Sequence, residues 1–559
     1  MTIKVTLNDF LYNAGVLGLL RIFQHAKIPC EVEGQSLLFE ESNLEDIGEH
    51  YFNFLIDRYG CETSYEKMIS SEEFIKSCLA EQIEEKHLED FNTLIENVKK
   101  WLTSNSYKNT YGFLTEVYFP FVEIAQSLKK ITKKKSESIG DIKPLVQEEA
   151  GKLLDCISHL KHSQAKHYLV ARSLSYQIIQ GFWTNVSFLN STASKKDLYG
   201  EYANYFTNAA LTYIETKKDE RKYEKNKLHC ALCENTMGKL SETFDLTWLQ
   251  KMGVDSARKS SHYWNHQKDL FICPICNLIY SCVPLGFTIA KGKGIFLNNN
   301  QSVKQLISAN SISLRNGEKE ITPDELEEMA YYRILDVMIQ NAVGKKELEI
   351  DNIQIVKFDK YNESRPYTFN ILSRERAKTM IDSKSSLNYL VGKFAKENKE
   401  YVGLYQEVIK RLYNGQSFYD LLYRLMKLFI EGEFKNGIAI KHILRISNNQ
   451  FKGGIHFMTF EELEKVRNIG FYLKKQYYGQ ENKLGGISYR LLNALKVKNP
   501  NKFMETLIQA YSYKKVAIPI VFVQALSDQE KFQTIGYAFL LGLQGYDGQE
   551  KKEVKMVHA

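Results

Sequence analysis

The chain has 559 residues, 44% hydrophobic and 12% aromatic with only nine prolines, a composition that excludes a disordered or low-complexity protein. Its net charge of +7 is uneven: residues 381–559 carry 27 Lys+Arg against 17 Asp+Glu, whereas residues 31–100 hold 18 acids against six bases. No apolar run approaches the roughly 20 residues of a membrane span, and nine cysteines, an odd number, argue for a reducing compartment and against a disulfide framework.

Met1-Thr2-Ile3-Lys4-Val5 carries no signal peptide, so a soluble cytoplasmic protein without membrane contact is expected. At about 100–200 residues per domain, three or four domains fit the length. Residues 2–6 alternate like a strand. Asn8 is then read as the cap of a helix through Leu11, Ala14, Leu17, Leu20 and Phe23, on which Ala14, Gly15 and Gly18 permit close approach to a neighbour. Residues 41–102 read as acidic amphipathic helices. The run from Lys129 through Lys133, Lys134 and Lys135 has no apolar period and reads as a mobile surface loop, solvated or touching phosphate. Residues 148–214 are helical by period, and their aromatics, Phe182, Trp183, Phe188, Tyr199, Tyr202 and Tyr205, fit a core better than a base-stacking platform. His159, His162 and His167 read as a helical surface or core cluster.

Two Cys-x-x-Cys pairs follow, Cys230 with Cys233 and Cys273 with Cys276, with 39 residues between Cys233 and Cys273. Each two-residue gap lets a pair reach one ion from a tight turn, and four thiolates are the ligand set of a structural Zn2+ site. The usual gap between such pairs is about 15–20 residues, so the segment between them must leave the metal and return to it. Four buried thiols are the plain alternative. A redox dithiol would need one pair opening a helix, whereas Asn277-Leu278-Ile279-Tyr280 continues the second pair without a visible cap. Four cysteines also leave no open coordination position for catalysis.

Val283 to Ala290 reads as a strand leaving the second pair. Lys291-Gly292-Lys293-Gly294 then combines two glycines that bring backbone near a ligand with two lysines that offer charge; a phosphate contact and a plain hairpin turn explain it equally well. No Gly-x-x-x-x-Gly-Lys-[Ser/Thr] loop occurs, so no ATPase is assigned. A helix over 322–343 opens at Thr322-Pro323-Asp324-Glu325, and 350–358 and 367–372 alternate as strands completing the N-terminal sheet. After Ser373 the reading is helices alone, with capping boxes at Thr459-Phe460-Glu461-Glu462 and Ser527-Asp528-Gln529-Glu530. The fold expected is α+β: an N-terminal α/β region, largely helical (1–220), a zinc-binding insertion (221–300), the remainder of the α/β region (301–375) and a C-terminal helical bundle (376–559).

With the two cysteine pairs, the opening Asn8-Asp9-Phe10-Leu11-Tyr12-Asn13-Ala14-Gly15-Val16-Leu17-Gly18-Leu19-Leu20 and the helical end, the chain resembles the large subunit of the type I-B CRISPR Cascade effector, in the branch named for its CXXC-CXXC signature. The resemblance implies a non-catalytic subunit of an RNA-guided surveillance complex. Its implied partners are the other Cascade subunits, the guide RNA handle, target double-stranded DNA with its displaced single strand, and the helicase-nuclease it helps recruit. Pairing would read the sequence and protein the flanking motif, as in other RNA-guided systems. The C-terminal bundle would resemble the Cascade small subunit, which such systems often make from an internal start. Met458 is placed for one: Lys452-Gly453-Gly454 can be encoded as a purine run, and the product 458–559 would have 102 residues with 15 Lys+Arg against 10 Asp+Glu. Two other classes stay open, a zinc-ribbon DNA-binding factor of transcription or repair and a metal- or thiol-dependent enzyme.

Overall fold

The computed structural model describes residues 1–80, 85–132, 139–218, 228–238, 240–249, 271–312, 353–362, 365–397 and 400–545, with 315–316, 319–323, 325–327, 329–330 and 333. Helices predominate and the sheets are small, so the chain is mixed α/β. It divides into two compact units, Met1–Leu326 with Val356–Thr368, and Glu327–Ile355 with Phe369–Ala559. Among the described residues no helix is long and apolar enough to cross a membrane.

In the first unit, Thr2–Thr6 pairs antiparallel with Ser36–Glu40, placing Ile3 opposite Phe39 and Val5 opposite Leu37, and Glu31–Glu33 adds the third strand. Ile3 and Val5 are buried while their neighbours are exposed, the alternation of a sheet covered on one face. The opening helix is Phe10–Ala26. Its cap is Asp9 and not Asn8: the Asp9 carboxylate accepts from the Leu11 and Tyr12 N–H groups, at 2.9 and 3.1 Å. Lys27, in the left-handed region, ends the helix. Helices Ile47–Tyr59, Ser64–Ser70, Glu72–Ala80 and Glu85–Leu102 supply the acidic amphipathic stretch.

The expected continuous helix over 148–214 is broken. Ile139–Leu160 and Ser163–Gln177 are helical, single 3-10 turns follow, and helix resumes from Leu198 to Lys217. The interruption lets Phe182, Trp183 and Phe188 turn inward, where Trp183 packs edge-on against Trp248 at 5.4 Å. These aromatics are core, as expected.

Three further expectations are corrected. Val283–Gly286 is a helical turn, and only Thr288–Ala290 is strand. Ile353–Asp359 and Tyr367–Leu372 do not complete the N-terminal sheet; they join Lys293–Asn298 and Thr288–Ala290 in a separate four-stranded sheet. Ile353–Asp359 carries apolar side chains on both faces and so calls for cover on both, which the outer face of the first sheet does not offer. Of the helix read over 322–343, the Thr322–Glu325 capping contacts are present, at 2.7–3.3 Å, and most of the remainder lies outside the described residues.

The second unit is not helices alone. Phe394–Glu397 and Glu400–Gly403 form a hairpin, whose short alternating strands are easily passed over between helices. Helices including Leu404–Asn414, Tyr419–Ile430, Gly437–Asn449, Phe460–Gln476, Glu481–Lys496, Pro500–Tyr513 and Gln529–Leu543 build the rest. The Thr459 capping box is present in both directions: the Thr459 N–H donates to Glu462 at 2.7 Å and the Glu462 N–H to the Thr459 hydroxyl at 3.3 Å. The second box is corrected to a simple Asp528 cap, because Ser527 ends the preceding helix, Val521–Ser527. Gly470 and Gly542 bring Phe460–Gln476 and Gln529–Leu543 into backbone contact, since a Cβ on either would collide with the other helix's carbonyl oxygens.

Candidate metal centre

The first cysteine pair sits on a tight turn. Leu228–His229 pairs with Thr236–Met237, the Cys230 N–H donates to the Asn235 carbonyl at 2.9 Å, and Glu234 takes a positive φ of 59° to close the loop. The second pair opens a helix, contrary to expectation: Cys273 is the N-cap of Pro274–Ser281, with proline at the first helical position. Its sulfur replaces the usual hydroxyl or carboxylate, accepting from the Cys276 N–H at 3.5 Å, which is why no cap is visible in the sequence.

The turn and the helix bring all four sulfurs within 4.8 Å of one another. Cys230 and Cys276 are 3.8 Å apart, Cys233 and Cys273 3.6 Å. A tetrahedral ion with metal–sulfur bonds of about 2.3 Å would set its ligands about 3.8 Å apart, whereas a disulfide needs about 2.05 Å. The donor set also carries the outer contacts of a thiolate site. The Cys273 N–H donates to Cys230 at 3.3 Å, the Asn235 amide to Cys233 at 3.1 Å, and the Tyr12 hydroxyl lies 3.4 Å from Cys276. Hydrogen bonds from Cys233, Cys273 and Cys276 push the Cys230 thiol down, while Cys276 is pushed up, first by its bond to Cys230. One thiolate forms readily and resists the next, and a dication removes that conflict. These residues therefore fit a metal ion. A redox dithiol needs an accessible thiolate, but Cys273 and Cys276 are buried and Cys233 is the most exposed of the four.

The helix that carries the second pair is held on every side. Gly15 and Gly18 of the opening helix lie against the carbonyls of Ile279 and Cys282, and Gly286 against that of Ala14. The Tyr280 hydroxyl donates to the Asp9 carboxylate at 2.7 Å, the Tyr202 hydroxyl meets that of Ser281 at 2.8 Å, and the Trp248 indole donates to Asn277 at 3.1 Å. Within the segment between the pairs, Phe244 bridges to Ile272 and Leu249 to Trp183. The excursion is thus tied into the aromatic core before 250–270, which lie outside the described residues. A His-x-x-x-His spacing, His262 with His266, falls in that stretch.

The other sequence-predicted sites are placed separately. Lys291 and Gly292 form a two-residue hairpin turn, both with positive φ (48° and 80°), so the glycine is explained by turn geometry; Lys291 and Lys293 project into solvent. Lys133, Lys134 and Lys135 lie outside the described residues. Met458 is buried, its backbone clamped by the Asn448 side chain through bonds of 3.0 and 2.7 Å.

One surface escaped the sequence reading. Where Phe460–Gln476 ends, Glu481–Lys496 begins and Pro500–Tyr513 ends, lysines and tyrosines alternate in space. Lys483 lies 4.5 Å from the Tyr513 ring centre, Lys514 4.5 Å from that of Tyr477, and Lys475 5.7 Å from that of Tyr472. Tyr472 is 63% and Tyr478 92% exposed. The density of Lys and Tyr over 472–514 was the available signal, but the Lys483–Tyr513 and Lys514–Tyr477 contacts need the packed helices.

Residues 223–288 match a family model described as CRISPR-associated protein (Cas_CXXC_CXXC), which spans all four cysteines. No curated protein and no solved structure matches the chain. The match supports a CRISPR-associated protein and a role in a CRISPR system.

Proposed function

We propose that this CRISPR-associated chain is the large subunit of a type I-B Cascade complex, a binding and scaffold protein without catalytic activity of its own. The observation that carries the reading is the four-cysteine cluster inside the matched segment, fastened to the opening helix through Gly15, Gly18 and Tyr12. The two stretches that suggest the family are thereby one packed element. The metal is Zn2+, and its role is structural: four protein ligands fill its coordination, and the site is built into a core instead of a cleft.

The partners are the other Cascade subunits, the guide RNA, target DNA and the helicase-nuclease. The exposed rings of Tyr472 and Tyr513, beside Lys475 and Lys483 on the basic C-terminal third, support contact with single-stranded nucleic acid, because exposed rings stack bases while lysines follow the backbone. Lys291 and Lys293, exposed at a hairpin tip, and Lys133, Lys134 and Lys135 are further phosphate contacts in this reading, and Met458 is the internal start of the small subunit.

The test is co-expression of the tagged chain with the remaining complex subunits and a guide RNA. Stoichiometric co-purification of guide RNA and subunits is expected. A chain that folds with its metal yet brings down neither would overturn the assignment.

A further inference from the structure

A cavity of about 500 Å3 opens on the first unit, walled by Leu17, Phe54, Ile307 and Ile312, and two arginines bring positive charge to it. Arg21 projects from the opening helix. Its Nη1 donates to the carbonyls of Leu285 and Gly286 at 2.7 and 2.9 Å, with that of Phe287 at 3.3 Å, and its Nη2 donates to the Asn310 carbonyl at 2.9 Å and the Thr288 hydroxyl at 3.5 Å. Arg58, from Ile47–Tyr59, is tied far more loosely. It makes two long bonds, 3.4 Å to the Ile312 carbonyl and 3.3 Å to the Tyr59 hydroxyl. The two guanidinium groups thus bond carbonyls two residues apart on the same stretch of chain.

Neither arginine forms an ion pair with an acid among the described residues. The neighbouring carboxylate, Asp57, is engaged by His25 at 2.8 Å. Burial and then the charge of Arg58 lower Arg21 to about 9, so it still carries its proton at neutral pH. Two like charges therefore face a partly apolar cavity, compensated by carbonyl dipoles and, for the half-buried Arg58, by the rings of Phe54 and Tyr59 at 5.9 and 5.7 Å, and neither is neutralised until an anion enters. Capping the turn Val283–Gly286 explains Arg21 structurally. It does not explain Arg58, most of whose five N–H donors remain available.

We infer that this cavity binds a phosphate group, with the Arg58 guanidinium as the recognising fork and Arg21 as a fixed positive charge behind it. A planar fork matches two phosphate oxygens, and the apolar walls suit the sugar or base that carries the phosphate. The same chemistry is presented by a free nucleotide and by the backbone of a bound strand. The inference stands independently of the proposed complex.

The experiment is calorimetric titration of the full chain at constant ionic strength with inorganic phosphate, adenosine monophosphate and a single-stranded oligonucleotide. Arg58→Gln is expected to weaken binding at least tenfold with the thermal transition unchanged, and Arg58→Lys to restore part of it. Ser311→Glu, which sets a carboxylate in the cavity from an exposed position, is expected to abolish binding by occupying the anion's place without substituting either arginine. Loss in the phosphate and mononucleotide arms identifies a free nucleotide as the source; loss in the oligonucleotide arm alone identifies the backbone. Binding of all three probes unchanged in both Arg58→Gln and Ser311→Glu, or undetectable in the wild type, would overturn the inference.

Discussion

The Tyr12 hydroxyl lies 3.4 Å from the Cys276 sulfur, joining residues 264 positions apart. With a metal bound, the O–H donates to the thiolate and offsets part of its charge. Tyr12→Phe keeps the ring and its edge-on contact with Tyr280, at 5.5 Å, and removes the donor alone. It should weaken metal affinity about tenfold with little change in fold, as measured by competition with a chromophoric chelator. Unchanged affinity would make the contact one of packing only.

Cys273→Ala removes a ligand and a helix cap together. Loss of stoichiometric zinc by elemental analysis and faster proteolysis between 230 and 276 are expected, since a structural zinc site contributes roughly 10–16 kcal/mol of apparent binding energy in small peptides. Wild-type protein purified without chelators and free of zinc would refute the assignment of the metal.

Gly18 and Gly486 should respond oppositely to a larger side chain. A Cβ at Gly18 meets the Cys282 carbonyl, whereas one at Gly486 meets nothing within 4 Å on a helix exterior. Gly18→Val should destabilise by about 1–3 kcal/mol or more, and Gly486→Ala should stabilise by about 0.5–1 kcal/mol. Denaturant unfolding of the two variants gives the comparison.

The two proposed nucleic-acid surfaces can be separated by salt and by substitution. Tyr472→Ala with Tyr513→Ala should cost about 1–3 kcal/mol per stacked base in single-strand binding. Lys291→Ala with Lys293→Ala should instead lower affinity for duplex DNA in the assembled complex and flatten its salt dependence. If the lysine pair changes neither quantity, the hairpin is a turn and nothing more.

Recoding Gly453 and Gly454 with synonymous GGC codons tests the internal start at Met458. A short chain beginning at Met458 should accompany the wild-type protein and fall after recoding. Its first helix retains the Thr459–Glu462 box but loses the Asn448 clamp, which lies outside it. Absence of the species from wild-type preparations, or its persistence undiminished, rules the start out.

Much of the metal centre was legible in sequence because ligand spacing is local chemistry: two residues between sulfurs is a turn, whatever surrounds it. The Thr459 box and the close-packing stripe of Ala14, Gly15 and Gly18 were legible for the same reason. The helix at Cys273 was misread because a cysteine cap is rare and the proline beside it does not distinguish a helix start from a loop.

Partners across the chain lay beyond the pattern. The sequence by itself determined that four cysteines converge, that the opening helix has a small-residue face and that the C-terminal third is basic. The tertiary structure decided that this face lies on the helix carrying the second cysteine pair, that Lys483 and Lys514 meet tyrosines from other helices, and that Arg21 and Arg58 share a cavity whose described lining holds no acid. The reason is physical. Spacing constrains a residue's neighbours within a turn or two, whereas burial and charge compensation depend on which distant surfaces pack together, and that is a property of the whole core.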